Sequence, residues 1–174
     1  MATRDKPEGP VGDAYDVAVR FLANRARSIV EIRRRLRGKR FDEPAIDRAI
    51  DALRAQRYVD DEAFVRYWVD QRARFRQKGD RALVTELLQK GVARETIDIV
   101  LGERDPDAEV RQAREALRRP LVRWLTLDEA ERKRKIHAHL AQRGFSYDTI
   151  EAVLAHPEDD EADLGTEEVQ ARPR

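Results

Sequence analysis

The sequence predicts an all-α protein made of tandem three-helix repeats, and three observations support this fold class. Glycine and proline are scarce, at 8 and 7 of 174 residues. No window alternates polar and apolar residues over many positions, as strands do. A unit of about fifty residues also occurs three times along the chain. Charged residues make up 40% of the chain and aromatic residues 6%, so we expect a shallow core and an elongated shape.

The repeat is visible in three stretches that begin with Leu36, Leu87 and Leu140. In each stretch an apolar residue stands five positions after the leucine, an isoleucine stands five positions later, and an acidic residue follows. The leucines are 51 and then 53 residues apart. Because a unit of this size has only a marginal core by itself, we expect neighbouring repeats to share surface, as solenoid repeats do.

The same landmarks predict the organisation of the chain. We place repeat 1 at 14–57, repeat 2 at 58–104 and repeat 3 at 105–156, between a disordered N-terminus (1–13) and an acidic disordered tail (157–174). Short connections make consecutive helices pack against each other. The predicted helices span 14–26, 28–38 and 43–56 in repeat 1, 61–77, 80–90 and 94–102 in repeat 2, and 107–123, 127–143 and 147–155 in repeat 3.

Helix starts are marked by capping boxes. Ser28 with Glu31, and Thr126 with Glu129, have the S-x-x-E spacing in which each side chain satisfies a free backbone N–H. The ends of two helices are marked by Gly91 and Gly144, since glycine adopts the left-handed conformation that closes a helix. Arg40 takes this place in repeat 1, and we predict that it loosens that helix end.

The stretch from Tyr58 to Gly79 combines an acidic start with a basic end. We predict that the acids, which include the N-cap Asp60, stabilise the start of a helix through its dipole. Helical periodicity puts Phe64, Trp68 and Phe75 on one face, which we predict to be the core face.

The basic residues at the end of this stretch exceed what a helix dipole explains, because that effect acts only within the last turn. A second basic group occurs in repeat 1, and two such groups in consecutive repeats indicate a surface that meets an anion. The alternative is that they are ordinary solvated helix faces. The predicted binding residues are Arg25, Arg33, Arg34, Arg37, Lys39, Arg72, Arg74, Arg76, Lys78 and Arg81.

Composition excludes several classes of function. The chain has no cysteine, so disulfides, thiolate metal sites and a cysteine nucleophile are ruled out. It shows no secretory signal and no apolar run of the length of a membrane span, so we expect a cytoplasmic protein. The net charge of +1 divides into about −5 for the tail and +6 for the remainder, which suggests a charged partner.

No catalytic motif is found, and we predict a protein that is not an enzyme and needs neither metal nor cofactor. His137 and His139 are two positions apart on a predicted helix, so they face different ways and cannot chelate a metal together. His156 lies near a helix end. The chain contains no phosphate-binding loop or dinucleotide fingerprint.

The stretch from Tyr58 to Val92 resembles the signature of the RecX regulatory proteins. The resemblance extends over about 14–155, with Ser28 and Leu36 in repeat 1 and Gly144 in repeat 3 matching the family pattern. It implies a curved array of three tandem three-helix repeats. The matching residues of the central motif are Tyr58, Asp60, Asp61, Glu62, Phe64, Arg72, Gly79, Glu86, Leu87, Lys90 and Gly91.

The resemblance also implies a function. Such proteins bind the RecA recombinase and its filament on single-stranded DNA, and they inhibit filament growth, ATP hydrolysis, strand exchange and co-protease activity. We therefore expect a monomer that binds the RecA filament and single-stranded DNA, with double-stranded DNA as a further ligand. Two alternatives stay open: a stand-alone DNA-binding helical module, and a helical-repeat scaffold for another protein. The third helices lack the paired Asn, Gln or Arg side chains that read bases, which argues against the first alternative.

Overall fold

The protein is described here from a computed structural model that covers residues 10–155, with side chains from residue 14 onward. This part of the chain is entirely helical, with no strand, which confirms the predicted fold class. The predicted disordered ends, except for 10–13, and His156 lie outside the described residues. The helices are α1 (Pro10–Leu22), α2 (Ile29–Gly38), α3 (Glu43–Ala55), α4 (Asp61–Phe75), α5 (Asp80–Gln89), α6 (Arg94–Gly102), α7 (Ala108–Trp124), α8 (Glu129–Gln142) and α9 (Tyr147–Ala155).

The described chain forms two compact units. Unit 1 comprises 10–68 and 86–100, and unit 2 comprises 69–85 and 101–155. The division falls inside α4, α5 and α6, so all three helices of the middle repeat contribute residues to each unit. Each unit contains one hydrophobic cluster.

The core of unit 1 is built from helical periodicity on α1, α2 and α3. Apolar residues three or four positions apart form one stripe on each helix, and burying these stripes is the main stabilising contribution. Alanines on α1 allow its backbone to approach α3 closely. The fully buried residues include Ala14, Ala18, Ile32, Leu36, Ile46, Ile50 and Leu53.

The core of unit 2 has the same construction on α7, α8 and α9. Its buried residues include Ala113, Leu117, Ile136, Leu140, Phe145 and Ile150. Pro120 lies inside α7 without ending it. Trp124, at the end of α7, packs edge-on against His139 at 5.5 Å between ring centroids.

One helix, α1, differs from the prediction by more than the usual end fraying. The first helix begins at Pro10 and ends at Leu22, about four residues earlier than expected. Proline favours the first helical position because its missing N–H has no partner there anyway. The fourth helix ends at Phe75, two residues early, and Gln77 has a φ of 37°.

The capping box at Ser28 and Glu31 is confirmed, with both of its hydrogen bonds present. The one predicted at Thr126 and Glu129 is wrong. The Leu127 N–H donates to the carbonyl of Trp124, so Thr126 lies inside a turn, and Asp128 caps α8 by accepting from the Glu131 N–H at 2.8 Å.

The predicted core face of α4 is wrong at Phe75, whose side chain is 73% exposed. Val65 and Val69 are buried instead, so the packed face is rotated toward these valines, and the last turn of α4 presents its aromatic ring to solvent. Trp68 is partly buried, stacks at 5.8 Å on Phe64, and donates its indole N–H to a carboxylate of Glu86 at 2.8 Å.

Arg40 does not loosen the end of α2, so this expectation is also wrong. The Arg40 N–H donates to Arg37 O at 2.8 Å, and the Phe41 N–H donates to Leu36 O at 3.3 Å. The glycine-containing turns after α5 and α8 make the same pair of bonds. To make this turn, Arg40 adopts a φ of 65°, which is a strained backbone conformation for a residue with a Cβ.

Candidate nucleic-acid interface

A close contact inside unit 1, which we call joint 1, connects the start of α2 to the turn after α5. The Ser28 hydroxyl donates to the carbonyl of Lys90 at 2.6 Å. Gly91 has a φ of 80°, and a Cβ there would lie 2.5 Å from Cγ1 of Val30. The turn therefore needs glycine for two reasons, its backbone conformation and the approach of α2.

Joint 2, inside unit 2, connects the start of α5 to the turn after α8. The Gly79 N–H donates to Arg143 O and the Arg81 N–H donates to Gly144 O, both at 3.1 Å. Ser28 and Gly79 are 51 residues apart and Lys90 and Arg143 are 53 apart, so the two joints use corresponding positions of the repeat. The sequence shows the repeat but not that its turns are docking points.

At both joints, a carboxylate from the first helix of the following repeat caps the repeat's second helix, which is α2 at joint 1 and α5 at joint 2. Asp61 accepts from the Ile29 N–H at 3.0 Å, and Glu109 accepts from the Asp80 N–H at 2.8 Å. Burial raises the pKa of Asp61, against the lowering effect of that backbone hydrogen bond. The role that we predicted for the acids of α4 was local, whereas Asp61 also caps a helix 32 residues upstream.

Two of the four arginines of α2 form ion pairs with acids of their own unit. Arg33 lies 2.6 Å from Asp47, and Arg37 makes two hydrogen bonds to Glu43, at 2.6 and 3.0 Å. Among the predicted binding residues of this segment, Arg34 and Lys39 are exposed and make no ion pair with any described residue.

Glu31 forms ion pairs with basic residues next to α2. Its carboxylate lies 2.8 Å from the guanidinium of Arg25 and 3.5 Å from the ammonium of Lys90, which also sits 4.2 Å above the Trp68 ring. Burial by itself would raise the pKa of Glu31, but the hydrogen bonds from Arg25 and from the Ser28 N–H outweigh it and hold the pKa below its usual value.

The basic segment of unit 2, which runs from residue 72 to residue 81, is different. Arg72 is partly buried. The side chains of Arg74, Arg76, Lys78 and Arg81 form no ion pair with a carboxylate anywhere in the described part of the chain. All four lie within eight residues of sequence, between the end of α4 and the start of α5.

The backbone of this segment is held from α7 and α8. Gln112, which is buried, donates its amide to Lys78 O at 2.9 Å, and Arg143 donates to Arg76 O at 3.1 Å. Because the carbonyls are fixed from one side, the segment has a defined course while its cationic side chains stay available to an outside anion.

The ten predicted binding residues therefore divide equally between the units and differ in electrostatic state. In unit 1, three of the five already contact carboxylates. In unit 2, four of the five have no such partner among the described residues. The uncompensated positive charge of the predicted site lies mainly at the end of α4.

Residues 10–155 provide no evidence for a metal site or for a membrane span. No cluster of three or more His, Asp or Glu side chains could hold a metal there, and every helix in that range is too short or too polar to span a bilayer. Burial and the charge of Arg143 lower the pKa of His139, so its ring is neutral at pH 7.

Family models for the RecX first, second and third three-helix domains match 14–53, 60–101 and 107–154. A regulatory protein RecX from Chlorobium phaeobacteroides is 33% identical over 141 residues, which are 81% of this chain and 91% of the relative. The chain belongs to the RecX family. A further RecX, from a Mycobacterium species, is 37% identical over 137 residues, or 76% of this chain and 75% of the relative.

Solved RecX structures have the same fold. The crystal structure of RecX from Lactobacillus salivarius superimposes with a TM-score of 0.78 at 20% identity, and covers 84% of this chain and 96% of its own. A second RecX crystal structure gives a TM-score of 0.71 at 24% identity, over 83% of this chain and 72% of its own. The resemblance found in the sequence is thus confirmed over three tandem three-helix domains.

Proposed function

We propose that this RecX-family protein binds the RecA recombinase and its filament on single-stranded DNA. There it inhibits filament growth, ATP hydrolysis, strand exchange and co-protease activity. It acts as a cytoplasmic monomer without catalytic chemistry, and its effect on ATP hydrolysis is exerted through the recombinase.

One observation carries the proposal beyond family membership. The basic segment of unit 2 leaves Arg74, Arg76, Lys78 and Arg81 without carboxylate partners among the described residues, on a backbone that Gln112 and Arg143 hold in place. A recombinase filament on DNA is a polyanion, and cations without internal partners gain most from contacting phosphates or acidic protein surface. Binding of this kind depends on salt and reads no base sequence.

The test is the ATPase rate of RecA on single-stranded DNA, with this protein added at concentrations below that of the recombinase. Inhibition well below equimolar concentration supports the proposal, because a regulator of filament growth acts on many subunits at once. If the rate is unchanged when the protein is in excess over RecA, the proposal is wrong.

Paired charge variants test which basic residues contribute. Arg74→Gln with Arg76→Gln should lower filament affinity and reduce the salt dependence of single-strand binding by about 1.4 in slope, since each phosphate contact contributes about 0.7. The matched control, Arg33→Gln with Arg37→Gln, removes as much charge from residues that contact Asp47 and Glu43. Its salt dependence should stay close to that of the unmodified protein.

Direct DNA binding without RecA is the second candidate function, because the same uncompensated cations could serve it. It predicts tight binding to duplex DNA together with an unchanged recombinase ATPase rate. The two candidates are therefore separated by the ATPase measurement and one duplex-binding titration.

A further inference from the structure

An open cleft of about 130 Å³ lies in unit 2, beside the basic segment. Arg81 of α5, His137 of α8 and Tyr147 of α9 form its polar rim, and Phe145 and Ile150 line its apolar part. Pockets that enclose whole small molecules usually start at about 300 Å³. This cleft therefore fits one flat ring inserted from a longer molecule better than an enclosed cofactor.

Tyr147 offers an aromatic face to solvent at this cleft. It is the first residue of α9, and its side chain is 63% exposed. Its ring meets the ring of His137 edge-on, at 6.4 Å between centroids and 66° between planes. This contact orients the tyrosine, and its exposure leaves ring surface available for stacking.

Arg81 supplies a cation whose position is set by joint 2. Its backbone N–H donates to Gly144 O at 3.1 Å, which fixes the start of its side chain at the edge of the cleft. Its guanidinium makes no ion pair with any carboxylate in residues 14–155. A backbone contact with the turn that forms the cleft wall thus places a basic residue on the same cleft as an exposed aromatic ring.

A cation beside an aromatic face matches one nucleotide of a single strand, with a base on the ring and its phosphate on the guanidinium. We propose that this cleft binds single-stranded nucleic acid by stacking one base on Tyr147 and pairing its phosphate with Arg81. The inference rests on the proposed function in taking nucleic acid as the ligand, and it adds a site for a base. The same helix also carries the exposed acids Asp148 and Glu151, so the proposed binding depends on the stacked base as well as on Arg81.

The test measures binding of the full chain to fluorescent oligothymidylate at low salt. Tyr147→Ala should weaken binding roughly 5- to 100-fold, the range measured for loss of one stacked base, and Tyr147→Phe should bind as tightly as the unmodified protein. Arg81→Gln should also weaken it. An abasic strand of equal length should bind the unmodified protein as weakly as the oligothymidylate binds the alanine variant.

Two controls outside the cleft should bind normally: Tyr67→Ala, an exposed tyrosine of α4, and Arg119→Gln, an exposed arginine of α7. Circular dichroism of each variant checks that it is folded. Oligouridylate in place of oligothymidylate distinguishes RNA from DNA as the source of the strand.

Equal affinity of Tyr147→Ala and the unmodified protein for oligothymidylate would overturn the assignment, and so would an unmodified protein that does not bind the strand. If Tyr147→Ala lost affinity for RecA alone, the cleft would be a protein contact and the inference would be wrong. The RecA ATPase assay is run in parallel. Inhibition by a protein with no base-dependent binding rejects only the cleft, whereas base-dependent binding without inhibition rejects only the proposed function.

Discussion

Joints 1 and 2 each connect the start of a helix to a turn of the following repeat, but they use different hydrogen-bond donors. The carbonyl of the basic residue before the glycine accepts a hydrogen bond in both, from the Ser28 hydroxyl at joint 1 and from the Gly79 N–H at joint 2. A side-chain donor keeps the two backbones apart, whereas a backbone donor requires direct contact. A Cβ at Gly79 would lie only 2.3 Å from the Phe145 backbone. The two joints thus dock at corresponding positions of the repeat, although the donor position accepts a side chain at joint 1 and none at joint 2.

Replacing the donor residue of each joint by that of the other joint should have the largest effect on stability. Gly79→Ser should cost about 3 kcal/mol of unfolding free energy or more, because the Phe145 backbone has no room to move. Ser28→Gly should cost about 1 kcal/mol, from loss of the bond to Lys90 O and of the helix cap. Urea denaturation at neutral pH measures both, and equal costs would refute the proposed difference between the joints.

The two turn glycines should rank next. Alanine at either position adopts a left-handed φ at a cost of about 1–2 kcal/mol. Gly144→Ala should lose about 3 kcal/mol and Gly91→Ala about 2 kcal/mol, because the new Cβ meets the Ala82 backbone N at 2.7 Å in one case and only the Val30 side chain in the other.

Gly38→Ala is the control for these glycine variants, since nothing lies within 4 Å of its Cβ position and it ends α2. It should raise stability by about 0.5 kcal/mol, because alanine is the better helix former. A loss at Gly91 larger than that at Gly144 would contradict the comparison.

Moderate acid should affect unit 2 before unit 1. The His139 pKa is lowered in the folded state, so its contribution is present above the unfolded value near 6.5 and is lost as pH falls through the folded pKa. Glu31, also lowered, loses its contribution only as pH falls below about 4.5. The contribution of the partly buried Asp61 to stability has the opposite pH dependence, because its pKa is raised.

We therefore expect the urea midpoint to fall between about pH 7 and pH 5, and His139→Gln to remove most of that fall. His137→Gln, on the exposed side of the same helix, should leave it in place. The emission of Trp124, read in a Trp68→Phe background, should follow the same titration because its ring contacts His139. A midpoint drop that survives in His139→Gln would assign it to another group.

The smallest effect is expected at the turn after α2, where Arg40 takes the place of the glycine. Arg40→Gly relieves a φ of 65° but gives the unfolded chain more freedom, so the two effects nearly offset. We expect a net gain of about 0.5 kcal/mol in urea denaturation. A loss would show that the Arg40 side chain stabilises this turn by contacts of its own.

The helices of this protein were predictable from local signals, because a stripe of apolar residues and an N-cap act within one helix. Ser28 and Asp60 are N-caps as expected. The errors arose where a local signal had two solutions. Thr126 and Asp128 both suit a cap, and the turn that follows Trp124 selects the second.

The candidate site was predictable only in outline. A count of basic residues treats Arg33 and Arg76 alike, yet the first contacts Asp47, which lies 14 positions away in sequence. Tyr147 was missed because exposure of a ring at a helix start leaves no sequence pattern.

The sequence alone determined the helical class, the three-fold repeat and the family, because each depends on spacing along the chain and on residue types at those spacings. Tertiary structure decided which turns dock, which arginines keep their charge available, and which aromatic rings face solvent. These properties depend on contacts between residues distant in sequence, and the strength of an electrostatic or packing contact is set by distance in space.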